Sequence, residues 1–289
     1  VLTWTVNPTL PTGLDIDVST GEISGTPTVL STVNTYTITA TNTGGSATTT
    51  IDITVNDIAP TISYSVNSFV ETRDSPMSAE TPVIGGGTIL TWTITPDLPN
   101  GIVFDQATGE ISGTPIVISE LTTYTIAVTN TGGTATDTVD FTVNDIVPSN
   151  LDYTPNSFVL TLGTPMNVVT PTANGGPIVT FSINPLLPAG LSFDQATGTI
   201  DGTPTAITSS VTYTITATNS GGADSTTITL EVNDVIPSEV EYNPSSFVET
   251  KGTGMSPASP SAEGGTITLW EISPALPAGL SIDSSTGVI

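Results

Sequence analysis

One phrase recurs along this chain at a nearly constant interval, and this repetition limits what the chain can fold into. The phrase begins as LPTGLDIDVSTGEISGTP at Leu10, and related copies start at Leu98, Leu187 and Leu276. The glycines at its fourth position are spaced by 88, 89 and 89 residues: Gly13, Gly101, Gly190 and Gly279. A repeat of about 90 residues is long enough to bury its own core, so the sequence predicts separate modules rather than a solenoid.

The junctions between repeats also recur. Each complete repeat ends on Val-Asn-Asp, and a proline follows three residues after the aspartate, which predicts a short, stiff connection. Cutting the chain after these aspartates gives a partial module (1–57), two whole modules (58–145 and 146–234) and a second partial module (235–289). We expect the chain to be an excerpt of a longer polypeptide that continues the same period.

Apolar and polar residues alternate in two adjacent stretches of each repeat. In the third copy Tyr213, Ile215 and Ala217 alternate with threonines, a Gly-Gly pair follows, and Ile228 begins a second alternating stretch. This pattern predicts a β-hairpin with one buried face and one exposed face. The predicted fold class is all-β, a tandem array of immunoglobulin-like β-sandwiches. A recurring aromatic residue is predicted to lie between the two sheets: Trp4, Trp92, Phe181 and Trp270.

The composition excludes several classes of function. The chain carries 27 acidic and two basic residues, a formal charge of -25, so it lacks the Lys/Arg surface that binds phosphates or anionic lipid. No apolar run is long enough to insert in a membrane. The absence of His and Cys removes most catalytic groups, and no acidic pair recurs outside turns and junctions, so we predict that the protein is not an enzyme.

The repeated motifs carry a resemblance that covers the whole chain. The phrase LPxGLxxDxxTGxIxGTP, the TYTITATNTGG hairpin and the VND ending resemble the "putative Ig" repeats of large bacterial and archaeal surface proteins, relatives of the cadherin-like fold. The resemblance implies an extracellular, cell-surface protein whose modules form a stiff rod, stalk or filament and have no catalytic activity. The implied partners are neighbouring modules of the same polypeptide or similar filament subunits. The alternative is an array for calcium-dependent adhesion or glycan binding.

The junctions are the candidate metal sites. Calcium binds six to eight oxygens, often including carboxylates and Asn carbonyls, and VNDxxP resembles the end of the calcium-binding junction of cadherins. Glu71 and Glu249 are candidates to add a ligand from the following module, although the third copy has Leu160 there. In the other interpretation, Asn-Asp caps the junction turn by side-chain to backbone bonds, and no cofactor is required. The candidate ligands are Asn56, Asp57, Asn144, Asp145, Asn233 and Asp234.

A second recurring aspartate opens the sequence D-x-x-T-G inside the long phrase. Asp at the first position of a turn and Gly near its end are typical of a β-turn, because the side chain accepts bonds from the backbone that follows. We therefore interpret these residues as structural: Asp17, Asp105, Asp194 and Asp283.

Overall fold

The computed structural model describes residues 2–289, and all the regular secondary structure in that range is β. The predicted all-β class is confirmed. With no helix among these residues, none is present that is long and apolar enough to cross a membrane. The chain divides into two compact units, one ending at Asn144 and the other beginning at Asp145.

The strands repeat in the same order along the chain. The first partial module holds β1 (Thr3–Asn7), β2 (Leu14–Ile16), β3 (Ile23–Gly25), β4 (Ser31–Asn42) and β5 (Gly45–Val55). The second module holds β6 (Thr61–Ser63), β7 (Ser68–Thr72), β8 (Val83–Gly85), β9 (Thr91–Thr95), β10 (Ile102–Phe104), β11 (Ile111–Gly113), β12 (Ser119–Asn130) and β13 (Gly133–Asn144). The third module holds β14 (Ser149–Asp152), β15 (Ser157–Thr161), β16 (Thr172–Asn174), β17 (Thr180–Asn184), β18 (Leu191–Phe193), β19 (Ile200–Gly202), β20 (Thr208–Asn219) and β21 (Gly222–Asn233). The last partial module holds β22 (Ser238–Tyr242) and β23 (Pro260–Glu263).

The two whole modules share one topology. In the second module the main sheet has the order β7-β13-β12-β9, and the third module repeats it as β15-β21-β20-β17. Two small two-stranded sheets complete each module: β6-β8 and β10-β11 in the second, and β14-β16 and β18-β19 in the third. Neighbouring strands of the main sheet are antiparallel except for β7 with β13 and β15 with β21, which are parallel.

The predicted hairpins are confirmed as the longest strand pairs of the chain: β4-β5, β12-β13 and β20-β21. Their strict alternation explains the result, because it places one apolar row on the core side along the whole length of each strand. In the second module Ile126, Val128 and Phe141 are fully buried, while Thr125 beside them is exposed and Ala127 is half-buried.

Each whole module has a core of its own, as the repeat length predicts. One buried cluster lies entirely between Tyr64 and Phe141, and a second lies between Leu151 and Val232. The recurring aromatic residue belongs to this core, since Trp92 is 8% exposed and Phe181 is 6% exposed. The prediction that these two rings lie in the core is therefore confirmed.

The glycine of the D-x-x-T-G turn lies directly against the recurring aromatic ring. A Cβ atom on Gly109 would lie 2.3 Å from Cζ3 of Trp92, and one on Gly198 would lie 2.9 Å from Cδ1 of Phe181. Both glycines also have a positive φ, of 74° and 70°. The position is therefore restricted to glycine by space as well as by backbone conformation.

Candidate functional site at the module junctions

Asp57 anchors the first junction to the second module. Its Oδ1 accepts a hydrogen bond from the amide of Ile58 at 2.9 Å, and its Oδ2 accepts one from the amide of Thr88 at 2.8 Å. The backbone amide of Asp57 itself donates to Oγ1 of Thr131 at 2.8 Å. Only Asn56 separates this anchored residue from the end of β5. The junction is therefore a hydrogen-bonded segment rather than a free linker.

Two glycines leave room for this segment. A Cβ atom on Gly87 would lie 1.9 Å from Cγ of Asp57, and one on Gly132 would lie 2.1 Å from the carbonyl oxygen of Asp57. The carbonyl oxygen of Ile58 accepts bonds from the amide of Gly87 at 2.9 Å and from Nδ2 of Asn130 at 2.8 Å. The Gly-Gly pair after the first hairpin strand thus packs against the junction as well as forming the turn.

The same arrangement recurs at Asp145, within the second unit. Its Oδ1 accepts the amide of Ile146 at 2.8 Å, and its backbone amide donates to Oγ of Ser220 at 2.9 Å. A Cβ atom on Gly221 would lie 2.0 Å from the carbonyl oxygen of Asp145. One donor differs, because Pro177 occupies the place of Thr88 and has no amide hydrogen. Asp145 is nevertheless buried, at 5% exposure.

Asp234 repeats both carboxylate bonds of Asp57. Its Oδ1 accepts the amide of Val235 at 2.8 Å, and its Oδ2 accepts the amide of Thr266 at 3.1 Å. The amide of Gly265 donates to the carbonyl oxygen of Val235 at 3.0 Å. All three junction aspartates therefore accept the amide of the next residue, and two of them also accept a threonine amide, which favours the capping interpretation of the Asn-Asp pair.

The junction asparagines lie at strand ends or beyond them. Asn144 ends β13 and its carbonyl oxygen accepts the amide of Arg73 at 2.8 Å, while Asn233 ends β21 and accepts the amide of Leu162 at 2.8 Å. Asn56 is exposed and follows β5. The backbone oxygens of Asn144 and Asn233 thus accept hydrogen bonds from the residues that follow the parallel edge strands, β7 and β15.

The residues at these junctions do not form a ready calcium cage. Each junction supplies one aspartate, and at Asp57 and Asp234 both carboxylate oxygens already accept amide bonds. Within residues 2–289, no three His, Cys, Asp or Glu side chains come together in a way that suits a metal ion. Calcium normally takes six to eight oxygens, so the missing ligands would have to come from backbone carbonyls and water. Junction calcium stays a prediction.

The expectation for Glu71 is wrong. Glu71 lies in β7 and pairs with Val143, near the end of β13, whereas Asp57 bonds Thr131 before β13 begins. Twelve residues of strand separate these two places, roughly 40 Å at 3.4 Å per residue. The sequence pattern placed Glu71 in the following module correctly, but it did not show that β7 runs parallel to the last strand and so carries Glu71 to the far end.

The D-x-x-T-G aspartates are turn residues, as predicted. Oδ1 of Asp105 accepts the amide of Ala107 at 2.8 Å, and its Oδ2 accepts Oγ1 of Thr108 at 2.9 Å. These bonds stabilise the ionised carboxylate and hold the pKa of Asp105 below its ordinary value, with the bond from Ala107 as the larger cause. The Ser285 hydroxyl and amide, with the amide of Thr286, lower the pKa of Asp283 to about 2.

Sequence reasoning missed the residues that hold the junction from the other side. These are the hydroxyl groups that accept the aspartate amide (Thr131 and Ser220), the amide donor Thr88, and the close-packed glycines Gly87, Gly132, Gly176 and Gly221. A signal was present, because a second Gly-Gly pair recurs ahead of the recurring aromatic residue, beginning at Gly86, Gly175 and Gly264. A Gly-Gly pair indicates a turn, but it does not show that the junction segment packs against that turn.

Comparison with known proteins adds the family. A family model described as "Putative Ig domain" matches four successive spans, residues 1–56, 59–144, 147–233 and 237–289. The chain is 34% identical over 175 residues to a protein named serine-rich adhesin for platelets from Staphylococcus aureus, which covers 58% of this chain and 7% of that protein. The copy from strain MRSA252 is 35% identical over the same length, covering 58% of this chain and 12% of that protein. The chain thus spans a small part of these relatives.

Solved structures of other immunoglobulin-like arrays are similar at low identity. The titin I-band fragment I67-I69 matches with a TM-score of 0.40 and 13% identity, over 81% of this chain and 88% of that one. Sidekick-1 immunoglobulin domains 1-4 match with a TM-score of 0.39 and 15% identity, over 81% of this chain and 67% of that one.

Proposed function

Because this chain belongs to the Putative Ig domain family and consists of tandem immunoglobulin-like modules, we propose that it is a structural repeat region in a stiff extracellular stalk or filament of a large cell-surface protein. The proposal gives the modules a spacing role, in which they hold another part of the protein away from the cell. Neighbouring modules of the same polypeptide, or similar filament subunits, are the proposed partners. No catalytic activity, nucleic-acid binding or membrane insertion is part of this function.

The observation that carries the proposal is the anchoring of Asp57. This residue bonds the second module through its side chain and its backbone amide, and Asn56 alone lies between it and β5. A connection with one unanchored residue leaves little freedom for bending, in contrast to a Gly/Ser linker. The name of the staphylococcal relatives, which describes an adhesin, supports the cell-surface location.

Solution X-ray scattering tests the stiffness of the first junction. If the first junction is stiff, the intact chain should give a narrow distribution of interatomic distances between the modules that the junction connects. The matched comparison is a variant with Gly-Ser-Gly-Ser inserted between Asn56 and Asp57. It should show a broader distribution of interatomic distances. If the original chain already scatters like the insertion variant, the stiff stalk is refuted.

The cell-surface location has its own test. Antibodies raised against the second module should label the outside of intact cells of the source organism, and electron microscopy should show the label on an extended appendage. Label confined to permeabilised cells would contradict the proposed location while leaving the stiffness of the chain untouched.

The alternative function is calcium-dependent adhesion. It is supported by the formal charge of -25 and by one carboxylate at each junction, which together attract cations. If calcium binds there, it should raise the melting temperature of the chain, and Asp145→Ala should remove most of that rise, since a ligand stabilises the state that binds it. Asp97→Ala, at an exposed position outside the junctions, is the control. Identical melting curves in calcium and in chelator would leave backbone capping as the role of Asp145.

A further inference from the structure

We propose that each whole module resists being pulled open along the chain, because the first strand of its main sheet lies parallel to its last strand. This inference rests on the proposed function, since a stalk that holds an adhesive or spacing element transmits tension. In the second module the two strands are β7 and β13, paired from Ser68 with Asp140 to Thr72 with Asn144. The third module repeats the pairing with β15 and β21.

The direction of the strands decides how force loads the hydrogen bonds. Tension along the polypeptide pulls the beginning of β7 one way and the end of β13 the other way. In a parallel pair these two points lie at opposite ends of the ladder, so the strands are sheared along their length and all the bonds are loaded together. If the same strands were antiparallel, the two points would lie at one end and the bonds would break one after another.

Bonds beyond the paired residues extend this ladder at both ends. The amide of Asp140 donates to the carbonyl oxygen of Asn67 at 2.9 Å, and the amide of Arg73 donates to the carbonyl oxygen of Asn144 at 2.8 Å. Ahead of β7, the junction bonds, the three-residue pairing of β6 with β8, and the hydrogen bonds of Tyr64, Ser65 and Val66 lie in the path of the force. After these yield, the β7-β13 ladder carries the tension.

The core strengthens the same pair of strands. Phe69 on β7 and Phe141 on β13 occupy paired positions, and their rings stack with centroids 4.4 Å apart and an interplanar angle of 14°. Tyr124 packs edge-on against Phe141 with a centroid distance of 5.8 Å. Phe141 is fully buried and Phe69 is 6% exposed, so sliding β7 past β13 also separates a stacked aromatic pair from the core.

The third module keeps the geometry with different side chains. The amide of Thr229 donates to the carbonyl oxygen of Asn156 at 2.9 Å, and the amide of Leu162 donates to that of Asn233 at 2.8 Å. Phe158 pairs with Leu230 in place of the aromatic stack. The ladder is thus repeated where the stack is not, which indicates that strand direction, rather than one ring contact, is the shared feature.

Single-molecule force spectroscopy on the intact chain tests the direction of loading. The chain contains no cysteine, so handles can be attached through single introduced thiols. Handles at the two ends of the chain shear both whole modules. A handle at Ser75→Cys, an exposed position just after β7, together with one at the C-terminal end, instead peels β7 from β13. The third module is sheared in both arrangements and serves as the internal control.

We expect the second module to unfold at a clearly lower force when it is peeled, while the third module unfolds at the same force in both arrangements. The two modules are distinguished by the length of chain released, which is shorter for the second module when its handle is at position 75. Equal unfolding forces for the second module in the two arrangements would overturn the proposal. If the second module unfolds at a low force but scattering shows a stiff junction, the mechanical proposal fails while the proposed stalk function stands.

A pair of proline variants tests the ladder itself. In a parallel pair every second residue of a strand bonds the same neighbour, so Glu71, in phase with Asn67 and Arg73, directs its amide toward β13. Val70 directs its amide away from β13.

Glu71→Pro should increase the unfolding rate of the second module at a fixed force about fivefold to tenfold, the effect of one lost bond. Val70→Pro should change that rate less than about twofold. Equal effects of the two variants would contradict the ladder. If Glu71→Pro does not fold, as judged by circular dichroism, the comparison of pulling directions decides.

Discussion

The hydroxyl of Tyr64 donates a hydrogen bond to the carbonyl oxygen of Gly109 at 2.6 Å, and it thereby ties the start of the second module to the turn that lies under Trp92. Tyr153 makes the same bond to the carbonyl oxygen of Gly198, and Tyr242 to that of Gly287. The three tyrosines recur with the repeat, and the bond explains why: each one donates a hydrogen bond to a carbonyl group beside the recurring aromatic residue.

Tyr64→Phe should destabilise the second module by about 1–3 kcal/mol, because the variant leaves the carbonyl oxygen of Gly109 without its partner while preserving the ring. Urea unfolding monitored by tryptophan fluorescence measures the change, in a background where Trp4 and Trp270 are replaced by Phe so that Trp92 is the reporter. Tyr124→Phe is the matched control, since Tyr124 is also buried but its hydroxyl does not bond Gly109. A loss in Tyr64→Phe no greater than in the control would show that the bond contributes little.

The same tyrosines should make the protein sensitive to alkali. Burial raises the pKa of Tyr64 above its ordinary value of 10.0, with smaller contributions from Asp137 and Glu80, and burial likewise raises the pKa of Tyr153. A raised pKa in the folded state means that the neutral form is favoured, so the contribution to stability is complete below pH 10 and is lost as the pH rises above it. Melting temperatures measured between pH 8 and about 11 should fall, and they should fall less in Tyr64→Phe. A pH dependence unchanged by that substitution would exclude Tyr64 as a cause.

Gly132→Ala should disturb the first junction. The added methyl group would lie 2.1 Å from the carbonyl oxygen of Asp57 and 2.7 Å from the amide nitrogen of Ala59, both backbone atoms that cannot move independently. We expect a loss of about 1–3 kcal/mol, as for other overpacked positions. Gly44→Ala is the control, because Gly44 occupies the same place in the first hairpin turn and its Cβ would meet only the Asn42 side chain, at 3.2 Å. Chemical unfolding of both variants gives the comparison, and equal losses would argue against the packing of Gly132 on the junction.

Asp105→Asn should reduce the loss of stability in acid. The pKa of Asp105 lies below its ordinary value of 3.8, so the ionised carboxylate contributes stability above pH 3.8, and this contribution is lost as the pH falls through the lower folded-state value. Asparagine keeps an oxygen that accepts the amide of Ala107 but does not titrate. The fall in melting temperature between pH 5 and about 2 should therefore be smaller in the variant. Asp97→Asn should behave like the original chain, and identical acid profiles for all three proteins would refute the assignment.

The hairpins and the core could be predicted because they depend on local alternation. Alternate residues of a strand lie on the same face, which groups Tyr213, Ile215 and Ala217. The same alternation predicted that Trp92 and Phe181 lie in the core. The period of the motif further predicted that each repeat would have its own core, and the two separate clusters follow from it.

Strand partners could not be predicted in this way. Nothing local in Ser68–Thr72 shows that it pairs with residues near Asn144, or that it does so in parallel, and the wrong expectation for Glu71 followed from that gap. The junction glycines were missed for a related reason. A Gly-Gly pair is sufficient for a turn, so nothing in the pattern indicated that Gly132 also packs against the backbone of Asp57.

The parallel pairing also determines when a module can finish folding. Ser68 pairs with Asp140, 72 residues later, whereas β12 and β13 pair across a tight turn. Pairings between distant residues form slowly, because a long loop must close first. During synthesis, β7 therefore has no partner in the main sheet until β13, the last strand of its module, has been synthesised. Each repeat completes its sheet only at its own final residues, so an array of such modules matures from its N-terminal end, one module at a time.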